Sequence, residues 1–145
     1  MLEQILTILI GLMGGVAVGV QTPIANAIGQ RVGGAASSFI IHFTGAIFSG
    51  LLLFARGGEN LREIGSLPWW MFGAGLFGMI LYLTINHTFP RLGATAGLML
   101  IIVGQLFTGV IIDHFGLLGV VQRSIDGTRL LAVGLLLAGG YLLVR

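Results

Sequence analysis

The sequence predicts an all-α integral membrane protein that crosses the bilayer with five transmembrane helices. Of its 145 residues, 56% are hydrophobic and only 8% are charged, and the mean hydropathy is +1.03. Soluble domains carry roughly 25% charged residues, so water is not the main solvent expected for this chain. The charged residues also cluster in short intervals between long apolar segments. No segment alternates polar and apolar residues as a lipid-facing barrel strand does, and helices are therefore the expected elements.

Five apolar segments are long enough to cross a bilayer. A hydrocarbon core about 30 Å thick is crossed by about 20 mostly apolar residues in a helix. We expect one transmembrane domain over residues 1–145, with helices at residues 2–27, 37–55, 67–87, 94–112 and 128–144. The first segment has no basic residue ahead of its apolar run, so it is expected to be a retained helix rather than a cleaved signal. Gly, Pro and Asp punctuate the intervals, as is typical of loops.

Small residues recur at four-residue spacing on each predicted helix. They let helices approach closely in lipid, where packing replaces the hydrophobic drive that operates in water. A single such pair is ordinary for a membrane helix, but a pair on every helix predicts a closely packed bundle. The repeats are Gly11, Gly15 and Gly19 on the first helix, then Ala46 and Gly50, Ala74 and Gly78, Gly93 and Gly97, and Gly134 and Ala138.

Several functional classes are not expected from this composition. The formal charge of +2 is spread thinly, so no basic surface for nucleic acid is predicted. The chain has no Cys, and its three His lack a neighbouring ligand motif, so neither a metal site nor another cofactor is expected. The sequence contains no nucleotide-binding, zinc-hydrolase or nucleophile-elbow motif. We therefore expect neither an enzyme nor a pump driven directly by ATP.

The distribution of Arg leaves the orientation of the helices nearly balanced. Five crossings place the termini on opposite sides, with four Arg on the N-terminal side and three on the other. The positive-inside rule orients a chain through an excess of such residues, so the chain either inserts in both directions or is oriented by another feature. An odd number of helices cannot form two inverted halves, and we identify no internal sequence repeat. Because transporters commonly combine inverted halves, we predict an antiparallel homodimer with a second copy in the inverted orientation.

Four stretches and one residue pair together carry a family resemblance. They are PWWMFGAGLFG at 68–78, PRLGATAG at 90–97, GQLFTGVIIDHFG at 104–116, SFIIHFTG at 38–45, and Gln21 with Asn26 on the first helix. Over essentially the whole chain the sequence resembles the YdcZ-type branch of the drug/metabolite transporter superfamily. The resemblance implies a five-helix, multi-pass protein of the bacterial inner (plasma) membrane with transport activity, related to the small multidrug resistance proteins.

One departure from the small multidrug resistance proteins concerns proton coupling. Those proteins look to a membrane-embedded Glu on the first helix for proton and cation exchange. The only acid on the first helix here is Glu3, which lies at its very start. Exchange of drug cations by the same chemistry is therefore not expected.

Polar residues inside the apolar segments are the candidate site residues, because lipid cannot hydrate them. Apart from the His, none of them is ionised at neutral pH, so hydrogen bonding is the expected means of recognition. Gln105 and Thr108 share one helix face. The Gln105 amide either pairs with another helix, which is worth about 0.6 to 2 kcal/mol, or contacts a polar ligand. The candidate substrate-binding residues are Gln21, Asn26, His42, Asn86, Gln105 and Thr108.

Four more residues are candidates for gating or proton coupling. Pro23 deprives the Gly19 carbonyl of its helical hydrogen bond, which predicts a kink that either gates the site or only shapes packing. His87 is a candidate proton carrier because a His side chain can take up a proton near neutral pH, although a bond to a neighbouring carbonyl is the commoner role. Asp113 ends the fourth helix, where a negative charge opposes the helix dipole. We expect it to pair with an Arg or a helix N-terminus, and proton coupling is the alternative.

The function expected from these residues is secondary transport of small polar or amphipathic solutes. Two inverted copies expose a shared cavity alternately to each side of the membrane, and the other partners are the lipid bilayer and a small-molecule substrate. The alternative is a non-transporting membrane subunit that packs with, or assembles, another membrane protein. Obligate association with a different chain, without solute flux, distinguishes this alternative from transport.

Overall fold

The protein is all-α over the residues that the computed structural model describes, which are residues 1–144. Helix α1 spans Leu2–Val32, α2 spans Gly34–Ala55, α3 spans Ala74–Phe115 and α4 spans Gly127–Val144. Short 3-10 helices lie between them at Leu61–Ser66, Trp69–Gly73 and Leu117–Gly119. No strand occurs in this part of the chain, and the predicted all-α class is confirmed.

Three helical segments are long and apolar enough to span a membrane. They are Leu2–Val32, Gly34–Ala55 and the 47 residues of Trp69–Phe115, and the shorter Gly127–Leu143 is also apolar. A straight helix of 47 residues would be about 70 Å long, which is more than twice the thickness of a bilayer core. The third segment is interrupted at Gly93, where φ is 80° and ψ is 165°. Five crossings remain a prediction, in which α3 supplies the third and fourth.

Two of the loops that the sequence predicts are each reduced to a single non-helical glycine. Gly33 alone connects α1 to α2, with φ 94° and ψ 152°. Gly93 has nearly the same backbone geometry within α3. A residue with a Cβ is strained at such positive φ values, so Gly is needed at both positions. The sequence prediction leaves residues 28–36 and 88–93 outside helices, because polar residues and glycines end the apolar runs there.

The helix pair α1–α2 and the two halves of α3 share one pattern at an offset of 60 residues. The positive-φ glycines are Gly33 and Gly93, and the second helix of each pair ends at Ala55 and at Phe115. Because few side chains are identical, sequence comparison alone does not reveal this repeat. The pairs in which both residues are buried are Thr22 and Tyr82, Ala25 and Ile85, Gly29 and Phe89, and Ser37 and Gly97. Besides Gly33 and Gly93, the identical pairs are Gly15 and Gly75, Asn26 and Asn86, Arg31 and Arg91, Ala36 and Ala96, and Ile41 and Ile101.

The chain divides into two compact units. The first unit is Met1–His87 and the second is Thr88–Arg145. Most large apolar side chains in the described residues are exposed, as expected for helices whose surroundings are hydrocarbon rather than water. The few buried hydrophobic residues are Ala25, Tyr82, Ile85, Phe89 and Ala96.

Small residues mark the helix contacts inside each unit. In the first unit, the Ser37 hydroxyl of α2 donates to the Ala25 carbonyl oxygen of α1 at 2.7 Å, and both residues are fully buried. In the second unit, Gly140 of α4 lies against the side chains of Met99 and Val103 on α3. Of the predicted repeat positions, Gly78 lies against His42 and Gly97 against Phe89. The repeat glycines with open space beside them in the described chain include Gly11, Gly15, Gly19, Gly50 and Gly134, so a close contact on every helix stays a prediction.

Candidate functional site

Two side-chain amides of α1 lie beside Asn86 where α1 contacts the first half of α3, in the first unit. The Gln30 amide nitrogen Nε2 donates to Asn26 Oδ1 at 3.3 Å and to the main-chain oxygen of Asn86 at 3.2 Å. Asn26 and Gln30 are four residues apart, which places them on one face of α1. We call Asn26, Gln30 and Asn86 the amide cluster. Asn26 and Asn86 are candidates from the sequence, and the structure adds Gln30.

The side-chain oxygen of Asn86 is buried and has no hydrogen-bond partner among the described residues. The amide nitrogen Nδ2 of the same side chain donates to the Tyr82 carbonyl oxygen at 2.8 Å. The carboxamide packs directly against Gly29, where any Cβ would overlap it. Leaving a buried acceptor unpaired costs about 1 to 3 kcal/mol. A group that donates a hydrogen bond to this oxygen is therefore favoured at this position.

His42 joins α2 to α3 one turn of α3 away from Asn86. Its ring lies edge-on to the Tyr82 ring, with centroids 5.4 Å apart and planes at 87°. Its Nδ1 lies 2.7 Å from the Ser38 carbonyl oxygen and 3.3 Å from the Ser38 hydroxyl, while Nε2 packs against Gly78. These contacts fix the ring between two helices, and a substrate-binding role for His42 stays a prediction.

The other candidates of the first unit lie on or near its surface. Gln21 and His87 are exposed. Helix α1 continues through Pro23, and the space beside Gly19 is open. The helical interruptions occur at the positive-φ glycines instead. Gating by Gly19 and Pro23, and proton transfer by His87, therefore stay predictions.

Gln105 belongs to the second unit. Its side chain is exposed and makes no hydrogen bond to any residue of the described chain. The Thr108 hydroxyl donates to the Gly104 carbonyl oxygen at 2.9 Å, so its donor is already used. Gln105 lines an open cavity of about 290 Å³ together with Asp113 and Arg129. Ligand contact by Gln105 and Thr108, and pairing of Gln105 with another helix, stay predictions.

Asp113 pairs with Arg129 in the first turn of α4, as expected for a carboxylate at a helix C-terminus. Arg129 Nη1 lies 3.4 Å from Asp113 Oδ2, and the two side chains are 28% and 33% exposed. The same Nη1 donates to the Arg123 carbonyl oxygen at 3.1 Å, and the Arg123 amide donates to the Asp113 carbonyl oxygen at 2.7 Å. Asp126 caps α4 by accepting from the Arg129 amide at 2.8 Å. These bonds tie the end of α3 to the start of α4.

His114, the residue after Asp113, also stabilises the connection between α3 and α4. Gln122 Nε2 donates to the His114 carbonyl oxygen at 2.9 Å, and the Ile125 amide donates to His114 Nδ1 at 3.3 Å. Gly116 turns the chain with φ 62°. This polar segment, part of the stretch at 104–116 that contributes to the resemblance, therefore has a structural role at the end of α3.

The amide cluster can donate and accept hydrogen bonds but carries no ionisable group. An amide offers two N–H donors and an oxygen with two lone pairs, so recognition of a polar solute is within its chemistry. In residues 1–144, no group of three His, Asp or Glu is arranged to hold a metal ion. Three amides supply neither a nucleophile nor a general base.

The fold is that of a polytopic α-helical membrane protein, and the candidate site in its first unit is uncharged and hydrogen-bonding. A sequence profile described as "Putative inner membrane exporter, YdcZ" matches residues 6–142. The chain therefore belongs to the YdcZ family, and the resemblance and the multi-pass inner-membrane location predicted from the sequence are confirmed.

A curated relative extends over nearly the same length. The chain is 26% identical over 137 residues to "Inner membrane protein YdcZ" of Escherichia coli (strain K12), and the match covers 90% of this chain and 91% of that protein. No solved structure matches the chain. The description of the family is one of membrane export rather than of catalysis, which supports a transporter-like role.

Proposed function

We propose that the protein is a secondary transporter of small polar or amphipathic solutes, which it moves by alternating access in an antiparallel homodimer. The description of the family supports transport out of the cell. The single observation that carries the proposal is the unpaired Asn86 oxygen in the amide cluster. Polar groups within membrane segments are costly and are found along solute pathways, and an acceptor without a partner is suited to a solute that donates to it.

The contact between Gly29 and Asn86 supplies a physical basis for alternation. Because Gly29 has no side chain, α1 and α3 approach until the Asn86 carboxamide oxygen is shielded from its surroundings. Separation of the two helices at this point exposes the carboxamide to solute beside the Gln30 amide, which is exposed already. A bound solute that pairs with these amides favours the separated state. Such a difference in affinity between two states is what alternation requires.

The inverted partner follows from the nearly equal Arg counts and the odd number of predicted crossings. In an antiparallel pair, each face of the membrane carries opposite ends of the two copies, so the two faces are equivalent. Rocking of one copy against the other then converts an opening on one face into an equivalent opening on the opposite face.

Flux measurements on reconstituted vesicles test this function. Solutes that raise the thermal stability of the purified protein are selected first, and their uptake and efflux are then followed. We expect Asn86→Ala to lower flux by about tenfold, which corresponds to about 1.4 kcal/mol for one lost hydrogen bond. The exposed loop variant Asn60→Ala serves as a matched control and should keep wild-type flux. Wild-type protein that moves none of these solutes and copurifies with a different membrane protein would instead indicate a non-transporting subunit.

A further inference from the structure

Pro90 withholds a hydrogen bond from the main-chain carbonyl of Asn86. Both residues belong to α3, and Pro90 comes four residues after Asn86. In an α-helix the carbonyl of one residue accepts from the N–H group four residues later, but Pro has no N–H, and its ring crowds that same carbonyl. Membrane helices tolerate Pro where a neighbouring helix can satisfy the freed group. The Asn86 carbonyl therefore needs a donor other than the residue at position 90.

Gln30 of α1 supplies such a donor. Its Nε2 donates to the main-chain oxygen of Asn86 at 3.2 Å and to Asn26 Oδ1 at 3.3 Å, so each of the two N–H groups of this amide has an acceptor. Gln30 is also the residue that corresponds to Pro90 at the offset of 60 residues. At this position of the repeat, one helix lacks a donor and the other carries a donating side chain.

Pro23 shows that a side-chain partner does not accompany every Pro of the chain. It lies within α1 and frees the carbonyl of Gly19 in the same way. Among residues 1–144, no side chain donates to the Gly19 oxygen, and the nearby Thr22 hydroxyl donates to the Val18 carbonyl oxygen instead, at 3.0 Å. The bond from Gln30 to the freed carbonyl is therefore a specific feature of the amide cluster.

This bond lies beside the contact that shields the Asn86 carboxamide. Gln30 follows Gly29 in α1, and both residues contact Asn86. If α1 moves away, the Asn86 carbonyl loses its donor, which is unfavourable inside a membrane. We propose that Gln30 is the positioning residue of the amide cluster: it replaces the donor that Pro90 lacks, and the resulting bond holds Gly29 against Asn86. The inference rests on the proposed function only in taking the amide cluster as the solute site.

A double-mutant cycle between Gln30 and Pro90 tests the replacement. In Pro90→Ala the residue at position 90 has an N–H, so the Asn86 carbonyl regains a partner within α3. Gln30→Leu should raise the equilibrium constant for unfolding about fivefold more in the wild-type background than in Pro90→Ala, the factor that about 1 kcal/mol gives. The bond from Gln30 to Asn26 is lost in both backgrounds and cancels. The control Gln4→Leu changes an exposed residue of α1 that has no side-chain bond in the described chain, and it should act equally in both backgrounds.

A thiol at position 86 tests whether the bond holds the two helices together. The chain has no Cys, and Asn86→Cys keeps the main-chain oxygen that accepts from Gln30. Because Gly29 shields this side chain, the rate at which a small alkylating reagent modifies the thiol should follow the population of the separated state. Adding Gln30→Leu should raise that rate about fivefold. The control thiol of Ser37→Cys is buried where α2 contacts α1, and its rate should not change.

A carbonyl signal reports the bond directly and does not depend on Pro90→Ala. Asn86–His87 is the only Asn–His step in the sequence, so carbonyl-13C Asn combined with 15N His selects the Asn86 carbonyl in solid-state NMR. Gln30→Leu should move this signal to lower chemical shift, as expected for a lost hydrogen bond, and Gln4→Leu should not.

Three results would each overturn the assignment of Gln30. They are an unchanged carbonyl signal in Gln30→Leu, equal destabilisation by Gln30→Leu in both backgrounds, and equal rises in rate at the two thiols. None of these measurements uses a solute. Protein that shows the expected coupling but no flux would therefore contradict the proposed transport while supporting the role of Gln30.

Discussion

Replacing Gly29 with Ala tests the contact between Gly29 on α1 and Asn86 on α3. An added Cβ would overlap the carboxamide of Asn86, so either that side chain must leave its position or the helices must move apart. Overpacking of this kind costs about 1 to 3 kcal/mol. Ala is a better helix former than Gly by about 0.8 to 1.0 kcal/mol, and this gain partly hides the steric cost. The experiment therefore needs a control Gly→Ala substitution that has the same gain in helix propensity but whose added Cβ contacts nothing.

Gly15→Ala on the same helix is that control, because no atom lies within 4 Å of its added Cβ. The measurement is the free energy of unfolding of each variant by denaturant in detergent. We expect Gly29→Ala to be less stable than Gly15→Ala by about 1 to 3 kcal/mol, since the helix-propensity term is common to both. The comparison thus isolates the steric part.

A double variant shows whether Asn86 causes the loss. In Asn86→Ala the carboxamide is absent, so adding Gly29→Ala should then cost no more than the control, within about 0.5 kcal/mol. Equal stability of Gly29→Ala and Gly15→Ala would refute the contact. A penalty that persists in the double variant would refute its assignment to Asn86.

Three further substitutions test separate features. Gly93→Ala should lower the free energy of unfolding by about 1 to 3 kcal/mol, because the positive φ at this position is strained for other residues. The control Gly109→Ala has open space beside it and should not lower the free energy of unfolding. Equal values for the two variants would contradict the break in α3. Gln105→Leu should leave folding and assembly intact by size-exclusion chromatography, and a loss of either would show that the amide joins helices of two copies. Asp113→Asn should leave the pH dependence of flux unchanged, and a lost dependence would identify Asp113 as the proton carrier.

Hydropathy predicts the helical class but not the helix ends. An apolar run marks the part of a helix that lies in hydrocarbon, whereas backbone hydrogen bonding continues beyond it. Residues 28–32 are therefore helical although Gln30 and Arg31 are polar. The turns at Gly33 and Gly93 need only one residue each, and nothing in the sequence distinguishes these two glycines from the many others before their φ angles are known.

The candidate site is also only partly predictable from the sequence. Asn26 and Asn86 attract attention because uncharged polar residues are rare inside apolar segments. Gln30 does not, because it falls beyond the predicted end of the first helix, although its four-residue spacing from Asn26 is a usable signal. Gly29 becomes significant only through contact with Asn86. Such contacts between segments distant in sequence do not follow from local pattern.

The Asp113–Arg129 ion pair at the end of α3 is likewise only partly predictable from the sequence. The helix dipole predicts that Asp113 needs a positive partner, and the sequence offers seven Arg. The choice of Arg129 depends on the turn after α3 and on the Asp126 cap, which set where α4 begins. A sequence argument can therefore predict that the partner is an Arg but not which Arg it is.

Labelling from one side of the membrane tests the antiparallel dimer most directly. The chain has no Cys, so Asn60→Cys in the exposed α2–α3 connection reports without background. A membrane-impermeant maleimide is applied to intact spheroplasts and to permeabilised ones, and the labelled fractions are compared. Insertion in both directions predicts that about half of the copies react in the intact sample. Labelling of all copies, or of none, before permeabilisation would contradict the inverted pair.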